Sequence, residues 1–223
     1  MVSICSNFFS FSIFQVTAIW PWAWAACLVF ACLSILLFSF GETFAQGEQP
    51  IELNNPSFEG EPEDARVPDG WFACGSYSTP DILPGPWGVY QEAYHGDTFL
   101  GLISREDGTW EHIGQQLSKP LKKNECYTFS VKLARSSGYV GYNKALKFRV
   151  WGGTKKCQRA QLLGHTVAIS HNEWKSYKFT FFANEQYDYI VIEAYYTGKT
   201  PYRGNLLIDD CSPFETCIRA SLD

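Results

Sequence analysis

The chain has 223 residues, with 18 Lys and Arg against 23 Asp and Glu, a formal charge of −5, and 17% aromatic residues. Its basic residues are scattered, with no run that would track phosphates, so no nucleic-acid partner is expected. The length beyond an N-terminal leader suits one domain with a sizeable core.

No Lys or Arg precedes Arg66, and Ile19 to Phe40 carries no charge. Thr43 and Ala45 stand three and one residues before Gln46, the small-residue signature of a signal-peptide cleavage point. An uncleaved anchor is the other reading, because about 20 apolar residues span a bilayer. Residues 1–45 are therefore read as a signal peptide or N-terminal membrane anchor. Residues 46–223 are read as one domain, secreted or at the cell surface and outer envelope, touching a membrane only through that leader if it is uncleaved.

Beyond Gln46 the chain opens with NNPSFEG (Asn54–Gly60) and closes with NLLIDDCSPFE (Asn205–Glu215). If a first and a last strand meet, Glu59 and Asp209 come together. Two carboxylates with nearby backbone carbonyls make an oxygen cage of the kind Ca²⁺ accepts. The alternative is that both acids cap turns or pair with Lys or Arg.

Between these motifs the pattern is β throughout. Gly60–Tyr94, rich in Pro and Gly, reads as a long loop, and loops of that length are usually functional or wrap an edge. Thr98–Ser104 and His112–Leu117 read as strands. Tyr127–Ala134 alternates cleanly, with Tyr127, Phe129, Val131 and Leu133 on one side. Leu146–Trp151 turns Leu146, Phe148 and Val150 inward and Lys147, Arg149 and Trp151 outward. Ser176–Phe182, Tyr187–Tyr196 and Asn205–Asp210 follow. Period-two alternation with one apolar face predicts an all-β, antiparallel β-sandwich or jelly roll.

Five cysteines follow the leader: Cys74, Cys126, Cys157, Cys211 and Cys217. An exported chain holds disulfides, and the odd number leaves one over. None has a CxxC or zinc-type spacing. If Ala134 faces Leu146 across a hairpin, Cys126 lies opposite Thr154, close to Cys157, so a Cys126–Cys157 bridge is expected. Cys211–Cys217 and Cys74–Cys211 are the alternatives.

The alternation also predicts a ligand-binding surface. Lys132, Lys147, Arg149, Trp151, Glu193 and Tyr195 should share one outward sheet face, flanked by Trp110 and by Tyr139 and Tyr142 of the Ala134–Ala145 loop. Pyranose rings pack their C–H faces on aromatic rings, and their hydroxyls pair with carboxylates and guanidinium groups, so this set suits a glycan. The competing reading packs Trp151 and the tyrosines under loops as a second small core. Should this surface fail, the Gly70–Tyr94 loop with Trp71 and Trp87 is the next candidate. No GxSxG, HExxH or phosphate-cradling loop is present. Glu193, Glu111 and Asp107 are the carboxylates worth inspecting for glycosidase work, but no enzyme is expected.

The motifs NPSFEG, PDGW, HGDTFLGL, QQLSKPLKKNECYTFSVKLAR, WKSYKFTFFA and NLLIDDC, in that order, resemble the jelly-roll carbohydrate-binding modules of families 4, 9, 16 and 22, with a galactose-binding-like fold. The narrower likeness is to a module of secreted and OmpA-type outer-membrane proteins of gliding-type bacteria, carried by Thr79–Asp81, Trp87–Val89, Asp107–Glu111, Ile113–Gln115 and Trp151–Gly153. The resemblance implies a structural Ca²⁺ at Glu59 and Asp209, completed near Gly96 or Asp97. It implies an exported, non-catalytic module that binds a glycan or surface polysaccharide. A structural or adhesion module that contacts another envelope protein is the second reading, and a small glycoside hydrolase the third.

Overall fold

The computed structural model describes residues 49–217, and the expected leader and its cleavage point lie outside them. Twelve strands follow in chain order: β1 Phe72–Ala73, β2 Asp81–Leu83, β3 Phe99–Ser104, β4 His112–Leu121, β5 Cys126–Ala134, β6 Lys144–Ala145, β7 Lys147–Gly153, β8 Gln161–His165, β9 Lys175–Phe182, β10 Tyr187–Tyr195, β11 Gly204–Asp209 and β12 Glu215–Thr216. They form two sheets. The five-stranded sheet has the order β1-β4-β10-β7-β8. In the seven-stranded sheet β12, β5, β11, β3 and β2 are neighbours, with β9 on β5 and the short parallel β6 on β11. Every other pairing is antiparallel. The all-β antiparallel sandwich expected from alternation is the fold observed.

The main core lies between the sheets. Tyr127, Phe129, Val131 and Leu133 of β5, Phe148 and Val150 of β7, and Ile190, Ile192 and Ala194 of β10 all point into it and are buried. Each large apolar side chain removed from water contributes roughly 1.5–3 kcal/mol. The first and last described segments meet as well. Ile51 and Phe214 exchange two backbone hydrogen bonds of 2.9 and 3.0 Å, and Cys211 N–H donates to Pro56 O at 3.0 Å.

Strands β3 and β11 are buried along their whole length. Leu100, Leu102, Leu206 and Ile208 face the main core. Phe99, Ile103 and Leu207 face a second apolar cluster with Leu83, Val89, Tyr139 and Tyr142. The Ala134–Ala145 loop therefore covers the outer side of the seven-stranded sheet. It is held there by Asn205, whose Oδ1 accepts Ser136 N–H at 2.9 Å and whose amide donates to Ser136 O at 2.8 Å and to Tyr142 O. The second small core is real for Tyr139 and Tyr142, so they do not flank the expected binding face.

The long 60–94 segment is pinned by two buried acids. Glu111 accepts hydrogen bonds from Thr79 Oγ1 (2.9 Å), Ile103 N–H (3.0 Å) and Arg105 (2.6 Å). Asp81 accepts from Ala65 N–H at 2.9 Å and from the Tyr139 hydroxyl. Burial pushes Asp81 up to about 6 and Glu111 up to about 8, with Arg105 opposing the second shift. Glu111 is thus a structural anchor. Asp107 accepts from Thr109 N–H and Oγ1 and serves its own turn.

The expected Cys126–Cys157 bridge is incorrect. Strands β5 and β7 do not form a hairpin: β5 pairs with β9, β11 and β12, whereas β7 pairs with β10 and β8 in the other sheet. Alternation marks which side chains are buried and leaves open which sheet receives the next strand. The bridges are Cys74–Cys157 and Cys126–Cys217, both with Cα atoms 5.3 Å apart, and Cys211 is buried and free. Neither alternative pairing forms.

Candidate glycan-binding face

On the five-stranded sheet β10 lies between β4 and β7, with Glu193 opposite His112 on one side and Arg149 on the other. Because Ile192 and Ala194 fill the core, Glu193 is thrown onto the outer face. It is nevertheless 0% exposed. Three hydrogen-bond donors and one further guanidinium converge on its carboxylate. Trp151 Nε1 donates to Oε1 at 2.8 Å, and Trp110 Nε1 and Arg159 Nη1 donate to Oε2 at 2.8 and 2.7 Å. Arg149 Nε lies 2.8 Å from Oε1 as an ion-pair contact, although its N–H is not aimed at an acceptor. A buried carboxylate is tolerated when charge partners and hydrogen bonds surround it in this way.

The same groups stack. The Arg149 guanidinium sits 3.5 Å from the Tyr195 ring centroid and 5.7 Å from that of Trp151. Arg159 lies 5.5 Å over Trp110. Trp110 meets Tyr195 edge-on at 4.8 Å, and Tyr195 stacks on Tyr196 at 4.4 Å. Trp110, Trp151 and Tyr195 are each half-buried, presenting part of a ring to solvent. Cations over aromatic faces and paired rings hold one another's orientation.

A pocket of about 200 Å³ opens beside this plate, lined by Gly75–Ser78, Gly108–Trp110, His112 and Arg159. That is below the roughly 300 Å³ lower bound for drug-sized ligand sites, so it suits one ring or a chain end. Burial, then the nearby Arg159 charge, lowers the pKa of His112. The Cys74–Cys157 bridge shapes this region. Strands β1 and β7 have two strands between them, a gap of about 14 Å at the usual spacing. Cys74 stays beside β4, its N–H donating to His112 O at 3.0 Å, so the 154–160 connection must cross the face to reach it. That crossing carries Lys156 over Phe72 at 4.5 Å and returns Arg159 to Glu193.

Arg149, Trp151, Glu193 and Tyr195 are brought together as the alternation implied, and Lys147 joins them 5.6 Å from the Tyr195 ring. Lys132 is not. It belongs to β5 in the seven-stranded sheet, pairs in register with Asp209, and lies 4.3 Å over Tyr94. Its period-two position is right and its sheet is wrong, for the reason that defeated the hairpin. Arg159 and His112 were not singled out from sequence as ligand-face residues. Arg159 follows a turn with no periodicity, and only the partner of Cys157 would have pointed to it. Trp71 is buried, donating to Asn55 O at 3.0 Å, and Trp87 donates to Asp64 at 3.0 Å.

The two end carboxylates hold the same loop from two sides. Glu59 Oε2 accepts Asp97 N–H at 3.1 Å and Thr98 N–H at 3.2 Å. Asp209 Oδ2 accepts Tyr94 N–H at 2.8 Å and His95 N–H at 3.0 Å. Burial raises the Asp209 pKa to about 6. Glu59 Oε1 is buried with no hydrogen-bond partner, an atom whose chemistry fits a cation. The Asp97 side chain is exposed, and no group of three His, Cys, Asp or Glu gathers for a metal among the described residues. Any cation there would need backbone carbonyls in addition to Glu59 and Asp209.

The chain is similar to the Stig cyclase Fisc of Fischerella sp. TAU, with 15% identity over 75% of this chain and 97% of that one and a TM-score of 0.51, a likeness of fold alone. It is also similar to the CBM22-1 xylan-binding domain of Xyn10C from Paenibacillus barcinonensis, with 19% identity, 74% and 93% coverage and a TM-score of 0.45. The K3 adhesin domain of Lys-gingipain from Porphyromonas gingivalis W83 is similar at 13% identity, 74% and 99% coverage and a TM-score of 0.49. No curated protein matches the chain. The family profile described as a carbohydrate binding domain matches residues 52–198, which is most of the sandwich and includes every residue around Glu193. The chain belongs to the carbohydrate-binding domain family.

Proposed function

We propose that the protein is an exported, non-catalytic module that binds a glycan on the outer face of the five-stranded sheet, with a single ring or chain end in the pocket beside Trp110. The observation that carries this reading is the buried Glu193 carboxylate, which holds two tryptophans and two arginines together on one sheet face. Glu193 is out of reach of a ligand and acts as a positioning residue. The half-exposed Trp110, Trp151 and Tyr195 rings supply stacking surface, and the guanidinium groups supply donors for hydroxyls. A glycosidase needs two available carboxyl groups, about 5–10 Å apart. Glu193 and Glu111 are both buried and paired with arginine, which favours binding over catalysis. Two disulfides fit an oxidising compartment, secreted or at the cell surface.

Screening the purified protein against a panel of soluble and insoluble polysaccharides tests this reading. Trp151→Ala is expected to weaken the best ligand at least about tenfold, which is about 1.4 kcal/mol, with the circular dichroism spectrum unchanged. Retention of polysaccharide by the variant at wild-type strength would move the site elsewhere.

We also propose that Glu59 and Asp209 hold a structural Ca²⁺ with backbone oxygens of the 94–98 loop. The partnerless Oε1 of Glu59 supports it. A bound ion stabilises the native state by about 2.7 kcal/mol at a hundredfold excess over Kd. Chelator should therefore lower the melting temperature, and added Ca²⁺ should restore it. A melting curve indifferent to both would remove the ion from the account.

A further inference from the structure

The binding face carries more positive charge than its own geometry uses. One carboxylate, Glu193, meets two guanidinium groups, Arg149 and Arg159, at 2.8 and 2.7 Å. A buried charge needs compensation, and one arginine supplies it. The second leaves an excess positive charge in a partly dry setting. Lys147 over Tyr195 and Lys156 over Phe72 stand on the same face. Two cations thus contact the one carboxylate and two more stand on the same face, in a chain whose formal charge is −5. Of the other acids on this side, Glu111 is paired with Arg105, whereas Asp107 and Asp188 bond only the neutral Thr109 and Gln186 and keep their charge, so the four cations still outnumber the three unpaired or shared carboxylates.

The donors are also underused. Arg159 spends Nη1 on Glu193 while the rest of its guanidinium borders the pocket. Arg149 makes no hydrogen bond through its Nη groups among the described residues, and its side chain keeps 19% exposure. Guanidinium forks match planar oxyanions bidentately, more specifically than they match single hydroxyls.

Resting on the glycan-binding reading above, we infer that the ligand is an acidic glycan, whose carboxylate or sulfate ester meets Arg159 at the pocket mouth. The recognition rests on charge, so salt is the probe. Calorimetric titration of the protein with oligogalacturonides, a sulfated galactan oligosaccharide and neutral xylo-oligosaccharides of equal length distinguishes the cases. At about 0.01 M salt, where the Debye length is about 30 Å, one acidic series should bind at least about tenfold tighter than the neutral one. The margin should shrink sharply at about 1 M salt, where that length is about 3 Å. Arg159→Gln should abolish the margin, and Lys156→Gln should narrow it while leaving neutral affinity within about twofold, with melting curves checking that each variant is folded. Preference for the uronate or for the sulfate series identifies the anion, and either supports the inference. Equal or tighter binding of the neutral series overturns the inference while glycan binding stands, whereas absence of binding to all three overturns both.

Discussion

Replacing Glu193 with alanine should lower the unfolding free energy by about 3–5 kcal/mol, the range for removing one partner of a buried ion pair. Arg149, with 19% exposure, would keep its charge and lose its counter-ion. The indole N–H groups of Trp110 and Trp151 would both lose their acceptor. Glu193→Gln should also destabilise, because its amide places donors against donors. Glycan affinity should fall with stability in both variants, although Glu193 is fully buried. Denaturant titration measures the first effect as a lower midpoint at unchanged slope. A loss under about 1 kcal/mol would mean that the three donors and Arg149 are solvated elsewhere and that Glu193 does not organise the face.

Removal of the Cys74–Cys157 bridge by a double serine substitution should cost about 2–5 kcal/mol, as expected for a disulfide that closes a long loop. The effect on binding should be larger than for the other bridge. Cys74–Cys157 joins the Gly75–Ser78 wall of the pocket to the connection that carries Arg159. Cys126–Cys217 joins β5 to the strand end beyond β12, on the other sheet. Serines at Cys126 and Cys217 should lower stability and leave affinity unchanged at temperatures where the protein is folded. Serines at Cys74 and Cys157 should weaken affinity at least about tenfold, equivalent to about 1.4 kcal/mol. Equal affinities in the two double variants would detach the bridge from the site.

Most strands were legible because each buries one face, and β3 and β11, buried on both, because they are short apolar runs. Alternation of Tyr127 to Leu133 and of Phe148 to Val150 named core residues that are buried in the structure. It also grouped Arg149, Trp151, Glu193 and Tyr195, since β7 and β10 are neighbours in register and side-chain direction is set by position along each strand. What alternation could not carry is the assignment of strands to sheets. Lys132 and the Cys126–Cys157 pairing failed together for that reason, as β5 and β7 lie in different sheets although only a loop and the two-residue β6 separate them in sequence. The two-residue strands β1, β6 and β12 are too short for any period, and β8 (Gln161–His165) alternates poorly because its register shifts against β7. The pocket itself is built from turns and the 154–160 crossing. Those segments are placed by a disulfide and by the pull of Glu193 on Arg159, interactions between residues far apart in the chain.

The proposed glycan-binding face is tested most directly by titrating isotope-labelled protein with its best polysaccharide-derived oligosaccharide and following the indole N–H signals by NMR. The signals of Trp110 and Trp151 are predicted to shift most, with backbone changes clustered at Arg159, Tyr195 and the Gly75–Ser78 loop. Shifts concentrated instead at Trp87, Trp174 or the Tyr94–Lys132 region, with Trp110 and Trp151 unmoved, would contradict the account.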